Sequence, residues 1–276
     1  QNFYAGLGKY PLLAIPMFVL VGSIFDRSGV ALGLVNFAIA LVGRGPGMLP
    51  LVAICVAMFL GGISGSGPAN AAAVGAVMIA AMNRAGYPAS YSASVVGAAA
   101  ATDILIPPSV AFIVYSVLVP GASVPALFAA GMIPGVLAGI ALIVPAVWMA
   151  RKHGMGHLES SLPRPPLLKS FIEAIWGLAA PVLILGGMRM GWFTPTEAAV
   201  VAVFYGLFVG LFVHRSMTLR DLFPILKESG ELSAVILLVV SLAGIFAFSL
   251  STLGVIDPIT RAIVNSGLGE YGVLAL

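Results

Sequence analysis

Gly61-Gly62-Ile63-Ser64-Gly65-Ser66-Gly67-Pro68-Ala69-Asn70 is the stretch that decides the fold. It interrupts an apolar region: Met48 to Leu60 carries no charge, and neither does Ala71 to Met82. Gly costs about 1 kcal/mol and Pro about 3 kcal/mol in a helix interior, so this stretch predicts a break. Lipid cannot satisfy the backbone groups that a break frees. Such a break is tolerated only inside protein or beside a wet cavity, which is where ions and small solutes are held in membrane proteins.

A second break answers the first. Thr102-Asp103-Ile104-Leu105-Ile106-Pro107-Pro108-Ser109 interrupts the apolar runs Ser92–Ala101 and Val110–Val119. Consecutive prolines stop a helix. Two breaks rich in carbonyls and hydroxyls predict a site for a hard cation, which prefers oxygen ligands.

Composition sets the class. Hydrophobic residues make up 60% of the 276 and charged residues 8%, against roughly 25% charged in a soluble domain. The chain reads as an all-α polytopic membrane protein in a lipid bilayer. The net charge of +3 gives no reason to expect nucleic acid. The single cysteine, Cys55, excludes an internal disulfide and reads as a buried inert thiol. No P-loop is present, so ATP hydrolysis is not expected of this chain.

Working outward, Pro11–Phe25 is long enough to span with a few flanking residues, and Val30–Val42 reads as an interfacial helix. Met48–Ile63 and Ala69–Met82 are each about 14 residues, short of the ~20 a span needs. Arg44 precedes the pair and Arg84 follows it. If both mark the cytoplasmic side, the pair is a re-entrant hairpin. Tyr87-Pro88 starts the helix that breaks at Asp103–Pro108 and resumes to about Leu118. Val124–Ala150 leads into loop 151–169, whose four bases (Arg151, Lys152, Arg164, Lys169) and one acid (Glu159) mark it as cytoplasmic. Phe171–Met188 crosses back. Thr194-Pro195-Thr196-Glu197 predicts a capped helix start. Ala198–Val213 crosses again, Thr218–Glu231 reads as a charged surface helix, and Leu232–Leu253 as a further span. Asp257–Asn265 echoes Val30–Val42, the pattern of an inverted repeat. Both ends of the chain read as cut, with a second hairpin expected after Leu276.

The expected organisation is therefore a scaffold span and arm helix (1–47), a first transport half with hairpin and broken helix (48–120), scaffold spans (121–231), and the start of a second repeat (232–276).

At these residues the sequence resembles the large membrane (M) subunit of tripartite ATP-independent periplasmic (TRAP) transporters. The resemblance rests on Ala14-Ile15-Pro16-Met17-Phe18-Val19-Leu20-Val21-Gly22, Ser64-Gly65-Ser66, Arg84-Ala85-Gly86-Tyr87, Ile106-Pro107-Pro108-Ser109, Phe128-Ala129-Ala130-Gly131-Met132-Ile133-Pro134-Gly135 and Thr194-Pro195-Thr196-Glu197-Ala198. It implies a sodium-driven importer of small organic acids in the bacterial inner membrane, working by an elevator movement. It also implies a periplasmic substrate-binding protein and a small membrane (Q) subunit as partners, and a sequence longer at both ends.

Carried over residue by residue, the resemblance places sodium at Ser64 and Ser66 and at backbone carbonyls near Asp103, Ile106 and Pro108. Gly65, Gly67, Asn70, Thr102 and Ser109 are candidates for the substrate cavity. Family members often carry a small residue where this chain has Asp103, so a ligand role for its carboxylate does not follow from the resemblance. A second sodium site would draw on the second hairpin.

Each reading has a plainer rival. Asp103 is costly at membrane depth, which favours function over a simple helix cap. Ser64 and Ser66 could serve only as small packing residues, although packing does not require a break. Asn70 reads equally as a cap or as a substrate contact. A purely structural membrane subunit is a further alternative, but it leaves two polar breaks unexplained. Gly62-Ile63-Ser64-Gly65 also matches a rhomboid-like intramembrane serine protease. That chemistry needs a histidine near the serine, and His153, His157 and His214 all lie beside basic residues at span ends.

Overall fold

The computed structural model describes residues 10–42, 45–65, 67–119, 121–161, 164–267 and 269–275. Arg44, Ser66 and Pro120 fall outside that set, as does the side chain of Ser64. Every regular element among the described residues is helical. Two compact units are present, Tyr10–Ser233 and the residues from Ala234 onward.

The first unit opens with α1 (Ala14–Arg27) and α2 (Val30–Val42), an apolar pair bent by 64° at Ser28-Gly29. Then come α3 (Met48–Ser64) and α4 (Gly67–Arg84), the two arms of the hairpin. α3 exceeds the expected arm by one residue, and α4 is longer than expected because it already starts at Gly67-Pro68 and runs to Arg84. Proline suits the first turn of a helix, where its missing N–H has no partner to lose.

The broken helix has three parts: α5 (Ala89–Ala100), a 3₁₀ turn (Ala101–Ile104) and, after the two prolines, α6 (Val110–Leu118). α7 (Val124–Lys152), α8 (Leu167–Arg189) and α9 (Pro195–Phe208, extended by a π turn to Val213) are each long and apolar enough to cross a membrane. At the start of α9 the predicted capping box is present, with Thr194 and Glu197 bonding each other's backbone N–H.

The sequence reading separated a surface helix (Thr218–Glu231) from a span (Leu232–Leu253). The structure instead has one helix, α10 (Leu222–Thr252). Nothing at the expected boundary is strong enough to stop it: Gly230 alone costs about 1 kcal/mol, and Lys and Glu are good helix formers. α11 (Ile256–Asn265) and α12 (Glu270–Ala275) follow.

α3 lies at the centre of the packing in the first unit. α2 lies along α8, and α1 along α9. α3 packs on α1, α2, α4, α5 and α7. α7 turns Gly131, Gly135 and Gly139 inward, against Leu105 and Phe112, Ile106, and Met58 respectively. Small residues every fourth position let two backbones approach closely. The opposite side of α7 exposes Ile133, Leu137, Ile140 and Val144. Little contact joins α7 to α8, the next helix in sequence, and a cavity of about 440 Å³ opens between them.

Candidate functional site

The hairpin tip and the second break meet. α3 ends where Gly65 takes a left-handed conformation (φ 59°) and donates its N–H to Gly61 O at 2.9 Å. Glycine closes a helix this way without steric cost. A side chain there would also be blocked, because a Cβ on Gly65 would stand 2.6 Å from Pro108 O. The Cβ position of Gly62 lies 3.2 Å from Pro107 O, and that of Gly67 lies 3.2 Å from Ala100 O. Three carbonyl oxygens of the broken helix thus face the glycine side of the tip.

Asp103 occupies the 3₁₀ turn and is fully buried. Its carboxylate lies on the backbone of Gly61, where a Cβ would collide with it. Asn70, in the first turn of α4, donates Nδ2 to both carboxylate oxygens at 2.8 Å and to Ala57 O at 2.7 Å. Thr102 gives its hydroxyl proton to Ala99 O and Ser109 gives its own to Ile104 O, so both oxygens remain acceptors. The fold therefore brings Gly65, Gly67, Asn70, Thr102, Asp103, Ile106, Pro108 and Ser109 into one region. Asn70 is committed to Asp103 and Ala57 rather than to an open cavity.

No base answers the Asp103 charge among the described residues. The 3₁₀ turn packs against α3 to α7. Their bases are Arg84, at the end of α4, and Arg151 and Lys152, at the end of α7, all remote from the turn. The cavity between α7 and α8 reaches Pro107 and is lined by one cation, Arg189.

A second polar cluster closes the open end of the hairpin, and sequence reasoning missed it. Glu159 is 4% exposed. It accepts from the N–H of Leu49 at 2.9 Å and from the Tyr87 hydroxyl at 2.6 Å. The Tyr87 oxygen in turn accepts from the N–H of Gly47 at 2.7 Å. An acid at a helix N-terminus is favoured by the dipole and by the free N–H groups. Burial pushes the Glu159 carboxyl above its usual range, and the Tyr87 hydroxyl and the backbone N–H groups of α3 partly oppose that. The Tyr87 hydroxyl is raised too, first by burial and then by its bond to Glu159. Leu158 N–H adds a bond to Ala85 O at 3.1 Å. The signals available in sequence were slight: one acid in a basic loop, and the small residues Gly131, Gly135 and Gly139 at helical spacing.

The histidines stay away from the tip. His157 packs against Gly86, beyond the far end of α4, and His214 Nδ1 lies 2.9 Å from Ser28 O.

Over residues 1–276 the sequence matches the family described as Tripartite ATP-independent periplasmic transporter, DctM component. The chain belongs to that family. Similar proteins include the C4-dicarboxylate TRAP transporter large permease protein DctM of Pseudomonas aeruginosa, 41% identical over 95% of this chain and 61% of that protein. The sialic acid TRAP transporter large permease protein SiaM of Vibrio cholerae is 38% identical over 90% of this chain and 58% of that protein. The isethionate TRAP transporter permease protein DctMQ of Oleidesulfovibrio alaskensis is 36% identical over all of this chain and 43% of that protein. The chain thus spans less than two thirds of the length of each. Members of the DctM family are transport permeases, not enzymes, which removes the protease alternative. This DctM-type chain is an all-α, multi-pass membrane protein.

Proposed function

We propose that the protein carrying this chain is a sodium-coupled secondary importer of a small organic acid, such as a dicarboxylate, sialic acid or a similar carboxylate. It resides in the bacterial inner membrane, receives substrate from a periplasmic binding protein and works beside a small Q subunit. The substrates in the names of the relatives are all organic anions, and the name DctMQ fits a partner of the Q type.

One observation carries the sodium reading. The hairpin tip meets the second break with carbonyls of Ala100, Pro107 and Pro108 turned toward it, beside a buried carboxylate that no base among the described residues neutralises. A hard monovalent cation satisfies both needs. Ser64, Ser66 and Ile106 complete the proposed ligand region, and Gly65, Gly67, Thr102 and Ser109 border the substrate. Ligands from two separate breaks coordinate only when the breaks are in register, which couples ion binding to one conformation.

Packing supports an elevator in which α3 to α6 move with α7 past α1, α2, α8 and α9. Such an elevator puts the sliding boundary at the sparse contact between α7 and α8, and it requires the packing of α3 on α1 and α2 to slide as well. This grouping moves α7 from the scaffold to the transport half. The helices from α10 onward then begin the inverted second repeat.

The test is uptake of candidate acids into proteoliposomes holding the full-length protein with its partners. An inward sodium gradient should drive accumulation that an equal potassium gradient does not. Equal accumulation in the two salts would sink the sodium reading.

A further inference from the structure

Asn70 is fully buried, and its amide joins three elements: Ala57 of α3, its own helix α4, and Asp103 of the 3₁₀ turn. The amide nitrogen is fully used. The amide oxygen is buried and accepts no hydrogen bond. An unmet buried acceptor costs about 1–3 kcal/mol, and an apolar pair of the same shape would hold the helices at least as well. Packing alone therefore does not account for this pair.

The charges around Asp103 sharpen the point. α3, α5 and α6 carry no charged residue. The bases of α4 and α7 sit at the far ends of those helices. Among the described residues, one neutral amide is all that orients this carboxylate.

We infer that Asn70 is a positioning residue of the proposed ion site, holding the Asp103 carboxylate on Gly61 and keeping its own Oδ1 free as an additional oxygen ligand. The inference rests on the sodium reading given above. It assigns Asn70 to the ion rather than to the substrate. It also makes Asn70 and Asp103 one functional unit although they lie on different helical elements.

The experiment is a double-mutant cycle on the full-length protein in detergent. Thermal stability is titrated with sodium, at ionic strength held constant with potassium. A ligand that binds only the folded state raises Tm by mass action, so the midpoint of the rise reports affinity. Asn70→Ala should raise the sodium midpoint about tenfold, equivalent to ~1.4 kcal/mol. Asp103→Ala should do at least as much, and the double variant no more than the larger single, because the two act together. Should Asn70→Ala fail to fold, Asn70→Leu fills the same space without a donor or an acceptor and allows the same reading.

A purely structural Asn70 would lower Tm equally in both salts and leave the midpoint in place, which overturns the inference. Additive shifts overturn it too. A wild type that shows no sodium-specific rise removes the sodium reading itself, and this inference with it. The two failures are therefore told apart by the wild-type curve.

Discussion

Asp103 and Glu159 are both buried, and their surroundings differ. Glu159 receives a backbone N–H from the start of α3 and a hydroxyl from Tyr87. Asp103 receives one side-chain amide, and that amide has an unmet oxygen of its own. Glu159 lies among donors that a helix terminus and a tyrosine supply whether or not anything binds. Asp103 has, among the described residues, only that amide as a hydrogen-bond donor. The first arrangement holds the hairpin's open end together, and the second leaves capacity at its tip. A buried acid is thus a sign of function only once its partners have been counted.

The strongest way to break the comparison is to crowd the Asp103 side. In Gly61→Ala the new methyl meets the carboxylate and also the Asp103 Cα, at 3.2 Å. Overpacking of that kind costs about 3 kcal/mol at the upper end. Thermal unfolding should show the loss, and Gly61→Ala/Asp103→Ala should recover most of it. No recovery would mean that the backbone, not the carboxylate, fills the space.

Next comes the Glu159 side. Glu159→Ala strands the Leu49 N–H and the Tyr87 hydroxyl, and leaving buried donors unpaired costs about 2 kcal/mol in all. The sodium midpoint should stay where it was, since the tip is untouched. A shifted midpoint would show that the open end of the hairpin controls the tip.

A smaller effect is expected from Gly135→Ala on α7. Its Cβ would stand 2.7 Å from Cγ1 of Ile106, a side chain that can give way, so about 1 kcal/mol is expected. If α7 travels with the break, uptake should fall less than in Gly61→Ala. An equal or larger fall would place α7 with the scaffold.

The smallest effect concerns pH. The folded-state pKa of Glu159 lies above its ordinary value of 4.5. The folded protein therefore holds the proton more tightly than the unfolded chain. Its contribution to stability is complete below the unfolded value and is lost as pH rises through the folded one. Glu159→Gln should flatten that decline in a Tm-against-pH series above pH 4.5 while retaining an acceptor for Leu49 and Tyr87. An unchanged slope would assign the decline to other acids.

Much of the fold was legible because it is written locally. Gly65 and the Pro107-Pro108 pair break helices by their own backbone chemistry, and Thr194 and Glu197 cap one within four residues. The meeting of the two breaks was legible as an expectation, since each leaves polar backbone that lipid cannot satisfy. The pairing of Asn70 with Asp103 was not, because it depends on how three elements pack. Glu159 looked like a solvated acid in a basic loop, and only the tertiary contact with α3 gives it a role. The boundary expected at Leu232 failed because polarity changes there while helix propensity does not.

The closure of the hairpin by Glu159 bears on how this protein can be handled. Residues 154–161 have the glycines and polar side chains of a site where a fluorescent tag or a protease recognition sequence would normally be inserted. Here the segment is hydrogen-bonded to Ala85, Tyr87 and Leu49. An insertion there would disturb the hairpin as surely as a substitution inside it, and cleavage should be slow until the hairpin itself opens.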